Sequence, residues 1–375
     1  MLFNPQRFTR LDFELSNIQR ICYTFLDAVA EVVQVLARKV RDVGSNPTRI
    51  SMESPEEYIK KQLNRLADHK ADYSMFESDK ELSAHIVKTV LSKKFRKWAV
   101  DDDLIAHLEN AIKVNFEKKG PIKFVMPFGG YKLWRLGESP EADWAELFSM
   151  MFYALWLKPI ADVYEPGVWF DFSSDDVVLE RLDNISKGDT KAYKKTFEEV
   201  ITFLEAYIPK NLKFTFTPVG SRYSSGEFDA ELDSIMTQYL EEHDKKLPES
   251  SSEEKKMMDL NARRTEENLA DPDWYGKNKL MHNSYMSVSK RRPYSRTEDK
   301  ILVFTKILPK GVAVGTTKTS TAKFWAGVGA LKRRGDSYIE TVLSPEQIKT
   351  ATTTWVPVDF KGLPGKNFNK IRIAE

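Results

Sequence analysis

A glycine pair followed by two cations is the first place where this sequence could do chemistry. Pro127-Phe128-Gly129-Gly130-Tyr131-Lys132-Leu133-Trp134-Arg135 comes directly after Ile122 to Met126, a short apolar run that reads as a buried strand. Gly129 and Gly130 let backbone amides approach a ligand closely, and Lys132 and Arg135 supply charge for a carboxylate or phosphate. In open α/β sheets ligands bind beyond the carboxyl ends of strands, which is where this run falls. The GxGxxG fingerprint is absent, so it is no dinucleotide motif. A tight turn with surface cations is the competing reading.

Two further runs carry polar chemistry. Asp171-Phe172-Ser173-Ser174-Asp175-Asp176 ends a second apolar run, Val168 to Phe172, and its carboxylates could take Mg²⁺, an amine or a hydroxyl. An ordinary Asp/Ser turn without metal is the alternative, and the expectation is no metal. Gly311 to Trp325 holds hydroxyls with Lys318 and Lys323, which suits an anion, although Gly315-Thr316-Thr317-Lys318 lacks P-loop spacing. A hairpin with Thr-rich strands competes with that reading. The five histidines share no metal-ligand spacing, and His282 alone lies in the basic aromatic stretch where acid–base work is plausible. No GxSxG elbow is present, and Cys22 falls inside a helical pattern, so hydrolase nucleophiles gain no support.

These runs need elements to position them. The chain has 375 residues, which at about 150 per domain predicts two to three domains. Residues 1–118 read as a helical N-terminal region, with helices over Leu15 to Leu36, after Ser54-Pro55-Glu56-Glu57, over Asp79 to Trp98 and over Asp102 to Phe116. Residues 119–225 alternate strand and helix. Helices are predicted over Glu141 to Leu157, with Pro159 just beyond, and over Tyr193 to Tyr207. Strands are predicted over Val168 to Phe172, which Val177 to Leu179 could extend, and over Leu212 to Thr217. That order argues for an α/β core with a parallel sheet. Residues 226–300 read as a charged helical insertion with a flexible tip near Ser250-Ser251-Ser252. Residues 301–375 read as a β-rich part completing the core, with strands over Ile301 to Phe304, Val312 to Val314, Ala326 to Leu331 and Tyr338 to Val342, then a short helix capped at Ser344.

Charge is nearly balanced overall at +2 but unevenly placed. Glu138 to Asp189 carries twelve acids against three bases, and Trp274 to Gly335 carries fourteen bases against two acids. The basic stretch is interleaved with aromatics and could hold a phosphorylated small molecule or a nucleic-acid backbone; mutual packing or solvated faces is the alternative. A single cysteine excludes an internal disulfide framework and a Cys-based structural zinc site. No long uncharged apolar run and no secretory h-region stand out, so a soluble cytoplasmic protein with no membrane partner is expected.

The run from Phe124 to Arg222 resembles the isocyanide synthase family of the pyoverdine/dityrosine biosynthesis type. The matching features are Pro127, Phe128 and Lys132, the helix start Asp143-Trp144-Ala145-Glu146, and a Tyr-x-Pro-Gly turn (Tyr164, Pro166, Gly167) into a strand ending in Ser174-Asp175. The family's Ser-Asp-Gly is Ser174-Asp175-Asp176 here, and its later Thr-Pro-Trp-His is matched only by Lys323-Phe324-Trp325-Ala326. The resemblance implies a Rossmann-like enzyme without a nucleotide cofactor. Such enzymes join the amino group of an aromatic amino acid to one carbon of ribulose 5-phosphate to give an isonitrile. It implies Lys132 at the sugar carbonyl or phosphate, and Arg135, Arg222, Lys318 and Lys323 on phosphate or carboxylate. Asp175 or Glu146 would act on the ammonium, and Trp134 and Trp325 would frame the aromatic ring. Two other classes remain: a nucleic-acid-binding or nucleotidyl-transfer protein using 274–335 with Asp171, Asp175 and Asp176, and a non-catalytic relative of the fold.

Overall fold

The computed structural model describes residues 53–96, 100–128, 140–182, 185–222, 226–242, 273–291, 294–305, 310–315 and 321–375. Three helices come first: α1 (Pro55–Ala67), α2 (Asp79–Val90) and α3 (Asp102–Glu117). Then follow β1 (Ile122–Phe128), α4 (Trp144–Ala161), β2 (Val168–Ser174), α5 (Asp176–Leu182), α6 (Lys187–Leu204) and β3 (Leu212–Pro218). Helices α7 (Glu227–Glu242) and α8 (Trp274–Arg291) precede β4 (Lys300–Phe304) and β5 (Gly311–Ala313). The chain closes with β6 (Val328–Arg334), β7 (Ser337–Leu343), α9 (Pro345–Thr350), β8 (Thr353–Pro357) and β9 (Lys370–Ala374).

Strands β1 to β5 form one all-parallel sheet in the order β3-β2-β1-β4-β5. This is the doubly wound arrangement, with the strand order reversing at β1. Strands β6 to β9 form a second, mixed sheet in the order β7-β6-β9-β8. Only the first two strands of 301–375 therefore join the parallel sheet. The α/β, Rossmann-like class with a mostly parallel core holds, and residues 53–375, including α1 to α3, form one compact unit.

Helix α4 is the centre. Fourteen of its eighteen residues are buried, so it has no polar stripe and must be covered all round. It packs against the parallel sheet through Tyr153 on Phe170 (ring centroids 4.6 Å apart). Its first turn meets the second sheet: the Trp144 indole donates to the Lys370 carbonyl (2.8 Å). Its predicted start at Glu141 moves to Trp144, because Asp143 and Glu146 form a capping box whose side chains each take a backbone N–H. Pro159 lies inside the helix rather than beyond it. So near the end, its missing N–H forfeits one bond of the last turn while burial holds the turn in place.

Two other expectations are corrected. Val177 to Leu179 belongs to α5, not to an extension of β2; Asp176 starts that helix and accepts the Gly220 N–H (3.1 Å). Helix α2 stops at Val90 instead of reaching Trp98, because the Arg96 guanidinium takes the Leu91 carbonyl and Arg96 bridges to Val314 beside β5. The helix predicted over Leu15 to Leu36 and the flexible tip near Ser250 lie outside the described residues.

Helices α5, α7 and α8 share a small apolar core of their own, with Val177, Phe228, Leu232, Ile235, Met281 and Val288 buried together. Gly167 in the Tyr-x-Pro-Gly turn has φ +74°, and a Cβ there would lie 2.0 Å from the Asn211 carbonyl oxygen, so both conformation and space demand glycine.

Gly329 in β6 lies against the start of α4, where a Cβ would come 2.3 Å from the Ala145 nitrogen. Gly329→Ala is expected to destabilise the protein by about 3 kcal/mol through forced separation of the second sheet from α4. Gly276→Ala on α8, where nothing lies within 4 Å of the added carbon, is expected to be neutral or stabilising by up to about 1 kcal/mol. Denaturant midpoints of the two variants, compared at constant m-value, check the opposite signs.

Candidate functional site

Alternation along β2 sends Phe170 and Phe172 toward α4 and α6, so Trp169, Asp171 and Ser173 face the other side of the sheet. On β3, Phe214 and Phe216 alternate with Thr215 and Thr217 in the same way. The second face is therefore polar at its centre. Asp171 is fully buried there, and its Oδ1 accepts from both the Thr215 and Thr217 hydroxyls (2.6 Å each). Its Oδ2 accepts from the Tyr294 hydroxyl (3.1 Å). Burial raises the Asp171 pKa against the pull of those three hydroxyls and of Arg222.

Tyr294 is itself held between two cations. The Arg222 guanidinium lies 4.1 Å from its ring centroid and the Lys300 ammonium 3.7 Å. Lys300 also donates to the Tyr294 carbonyl (2.6 Å), and burial lowers its pKa. The Arg222 Nε is buried without a hydrogen-bond partner among the described residues. Beside this cluster Asp299 accepts from Lys123 and Thr297 (2.8 Å each). Burial would raise its carboxyl, but Lys123, Thr297 and Lys118 hold it down at about 2.

At the strand ends a second group assembles around Phe128. The Asp175 N–H donates to the Phe128 carbonyl (3.3 Å), and the Asp175 carboxylate accepts from the Tyr285 hydroxyl of α8 (2.6 Å). Trp325 stacks on the Phe128 ring, centroids 5.9 Å apart at 21°. Trp325 belongs to a 3₁₀ segment, Thr321–Ala326, that kinks at Lys323. This segment stands where a Thr-rich hairpin competed in the sequence.

The sequence-derived residues thus divide. Asp175 and Trp325 meet at Phe128, and Arg222 joins the Asp171–Tyr294 cluster. Lys323 is exposed. Glu146 is fully buried at the start of α4, where it accepts the Asp143 N–H (2.8 Å) and the Tyr193 hydroxyl (2.9 Å). Gly129, Gly130, Lys132, Trp134, Arg135 and Lys318 lie outside the described residues; β1 ends at Phe128, the residue before Gly129. His282 falls on α8. Tyr294, Lys300, Thr215, Thr217 and Tyr285 were missed as site residues. For the two threonines a signal existed: Phe-Thr-Phe-Thr alternation beside a lone Asp inside an apolar strand predicts a polar sheet face.

The carboxylates near the end of β2 do not converge. Asp171 serves three hydroxyls, Asp175 serves Tyr285 and Asp176 serves Gly220. Among the described residues no group of three or more His, Cys, Asp or Glu could hold a metal ion. The described cations of 274–335 fall on α8, β4 and β6 and on the segments between them. No helix among the described residues is long and apolar enough to cross a membrane.

No protein-family model matches the chain, and no curated protein matches it. Among solved structures it is similar to the crystal structure of the PvcA protein from Pseudomonas aeruginosa, at 16% identity and TM-score 0.50. The likeness covers 78% of this chain and 99% of that one. That likeness shows a shared fold.

Buried Asp171 and half-buried Asp299 give opposite pH signatures. Asp299, held low in the folded protein, contributes stability that is present above the ordinary carboxylate pKa and lost as pH falls toward 2. Asp171, held high, contributes stability that is present below that value and lost as pH rises through its raised pKa. Relative to wild type, Asp299→Asn is expected to be weakest near neutral pH and to converge in acid, whereas Asp171→Asn improves as pH rises. Denaturant melts from pH 3 to 7 read both, and flat difference curves would contradict the assignment.

Proposed function

We propose that this protein is an isocyanide-synthase-like enzyme acting on the amino group of an aromatic amino acid and on a sugar phosphate such as ribulose 5-phosphate. The observation that supports it best is the meeting of Asp175 and Trp325 at Phe128, the residue after which the chain enters Gly129 to Arg135. Asp175 reaches Phe128 through its backbone N–H and Trp325 through its ring, and doubly wound folds bind their ligands beyond the carboxyl ends of strands. The fold-level likeness to PvcA adds to it.

Chemistry on an amino acid's nitrogen begins with an ammonium, which must lose a proton before it can attack a carbonyl carbon. Asp175 is the carboxylate suited to hold that ammonium and take its proton, with Tyr285 fixing its orientation. Trp325 and Trp134 frame the aromatic side chain. Lys132 meets the sugar's carbonyl or its phosphate, and Arg135, Arg222, Lys318 and Lys323 carry the remaining anionic charge. Glu146, with its oxygens occupied at the helix start, supports the site through α4 rather than by touching substrate. The reading invokes no nucleotide cofactor and no metal.

Ribulose 5-phosphate and an aromatic amino acid are each expected to raise the melting temperature; ligand at a hundred times its dissociation constant adds about 2.7 kcal/mol. Lys132→Ala and Asp175→Asn are expected to cut isonitrile formation about a hundredfold or more. Mass spectrometry with the sugar phosphate ¹³C-labelled reads whether one carbon is transferred. Stabilisation only by single-stranded nucleic acid, fading at high salt, would sink the proposal.

A further inference from the structure

Another cavity lies near the amino ends of β4 and β5. Its volume is about 310 Å³, at the small end for a ligand pocket. Leu302 of β4 forms the floor, paired in register with Val125 on one side and Gly311 on the other. One wall is α3, which presents His107 and Asn110 three residues apart on one face. The opposite wall is the segment Ser295 to Glu298, and Lys310 closes the rim.

The walls are pinned rather than loose. The His107 imidazole hydrogen-bonds the backbone of Lys300, which fixes the ring beside β4. Thr297 is tied to Asp299, which Lys123 holds in turn (2.8 Å each). Lys310 adopts φ +56°, a left-handed conformation that non-glycine residues seldom take. Burial, and then the nearby Lys310 charge, lower the His107 pKa, and Arg296 and Lys310 line the cavity with it.

We propose that this cavity binds a small hydroxylated phosphomonoester, with Arg296 and Lys310 on the phosphate and His107, Asn110 and Glu298 on the hydroxyls. Two cations at one rim suit a doubly charged oxyanion, and the lone carboxylate of Glu298 suits hydroxyl donors rather than a second anion. The site lies away from Asp175 and Trp325 and stands whether or not the isonitrile reading holds. Every residue that it uses comes from α3, the 295–298 segment, β4 or the residue before β5.

The test follows the His107 imidazole by NMR in the full-length chain, with His107→Asn used only to assign its signals. Glycerol 3-phosphate is expected to shift these signals saturably. Inorganic phosphate should bind more weakly, and glycerol should leave the signals unmoved. Arg296→Gln/Lys310→Gln should weaken glycerol 3-phosphate binding about tenfold or more. Lys132→Ala should leave it unchanged, which separates this site from the strand-end one. Signals that ignore glycerol 3-phosphate, respond equally to glycerol or inorganic phosphate, or respond equally in the double variant would overturn the proposal.

Discussion

Asp143 and Glu146 carry their carboxylates into a region almost without solvent, so their lone pairs have to find donors within the protein. A buried charge left unpaired costs several kcal/mol or more. Here Asp143 Oδ1 takes the N–H of Ala145 (2.7 Å) and that of Gly329 in the second sheet (3.3 Å), while Glu146 takes the Asp143 N–H and the Tyr193 hydroxyl of α6. One helix start thus joins α4, α6 and β6. The bare glycine at 329 lets the second sheet come close enough for that bond, and the Trp144 indole fastens β9 beside it.

With α4 and α6 covering one face of the parallel sheet, the other face is free to be polar. Asp171 is the clearest consequence. A carboxylate in the middle of a strand would be excluded from an apolar interlayer, yet on this face three hydroxyls and the nearby Arg222 compensate it. Tyr294 links that carboxylate to Lys300 and Arg222, so the stretch from 294 to 300 acts as a strap across the sheet. The same strap continues as one wall of the cavity beside α3. Polar groups on this face thus gather around β2 and β3, while the aromatic core fills the opposite face.

The strand ends form a third environment. Phe128 faces inward against Phe197, Phe216 and Phe324, and its stack with Trp325 places that indole at the border of the core. Asp175 is tied to the Phe128 backbone on one side and to α8 on the other. The helical pair α7–α8, which follows β3 in the chain, is therefore not a detached insertion. It buries its own apolar face against α5 and reaches back to the end of β2.

Local sequence was sufficient for elements whose signals are local. Strands β1 to β4, the caps at Ser54 and Ser344, and the Tyr-x-Pro-Gly turn all follow from apolar runs, capping side chains and a glycine with no alternative. The parallel order could be inferred because alternating strands and helices leave few other connections. Partnerships distant in sequence stayed hidden. Nothing in the residues around Glu146 says that Tyr193 will meet it, or that Asp171 will be clasped by Tyr294 rather than by a metal. Helix α2 ends early because Arg96 is drawn toward Val314, and β8, with none of its residues buried, does not stand out before a second sheet exists to receive it. Propensity and periodicity report what a segment prefers. Which face of a sheet becomes polar, and which charges share it, depends on contacts that exist only after the layers have packed.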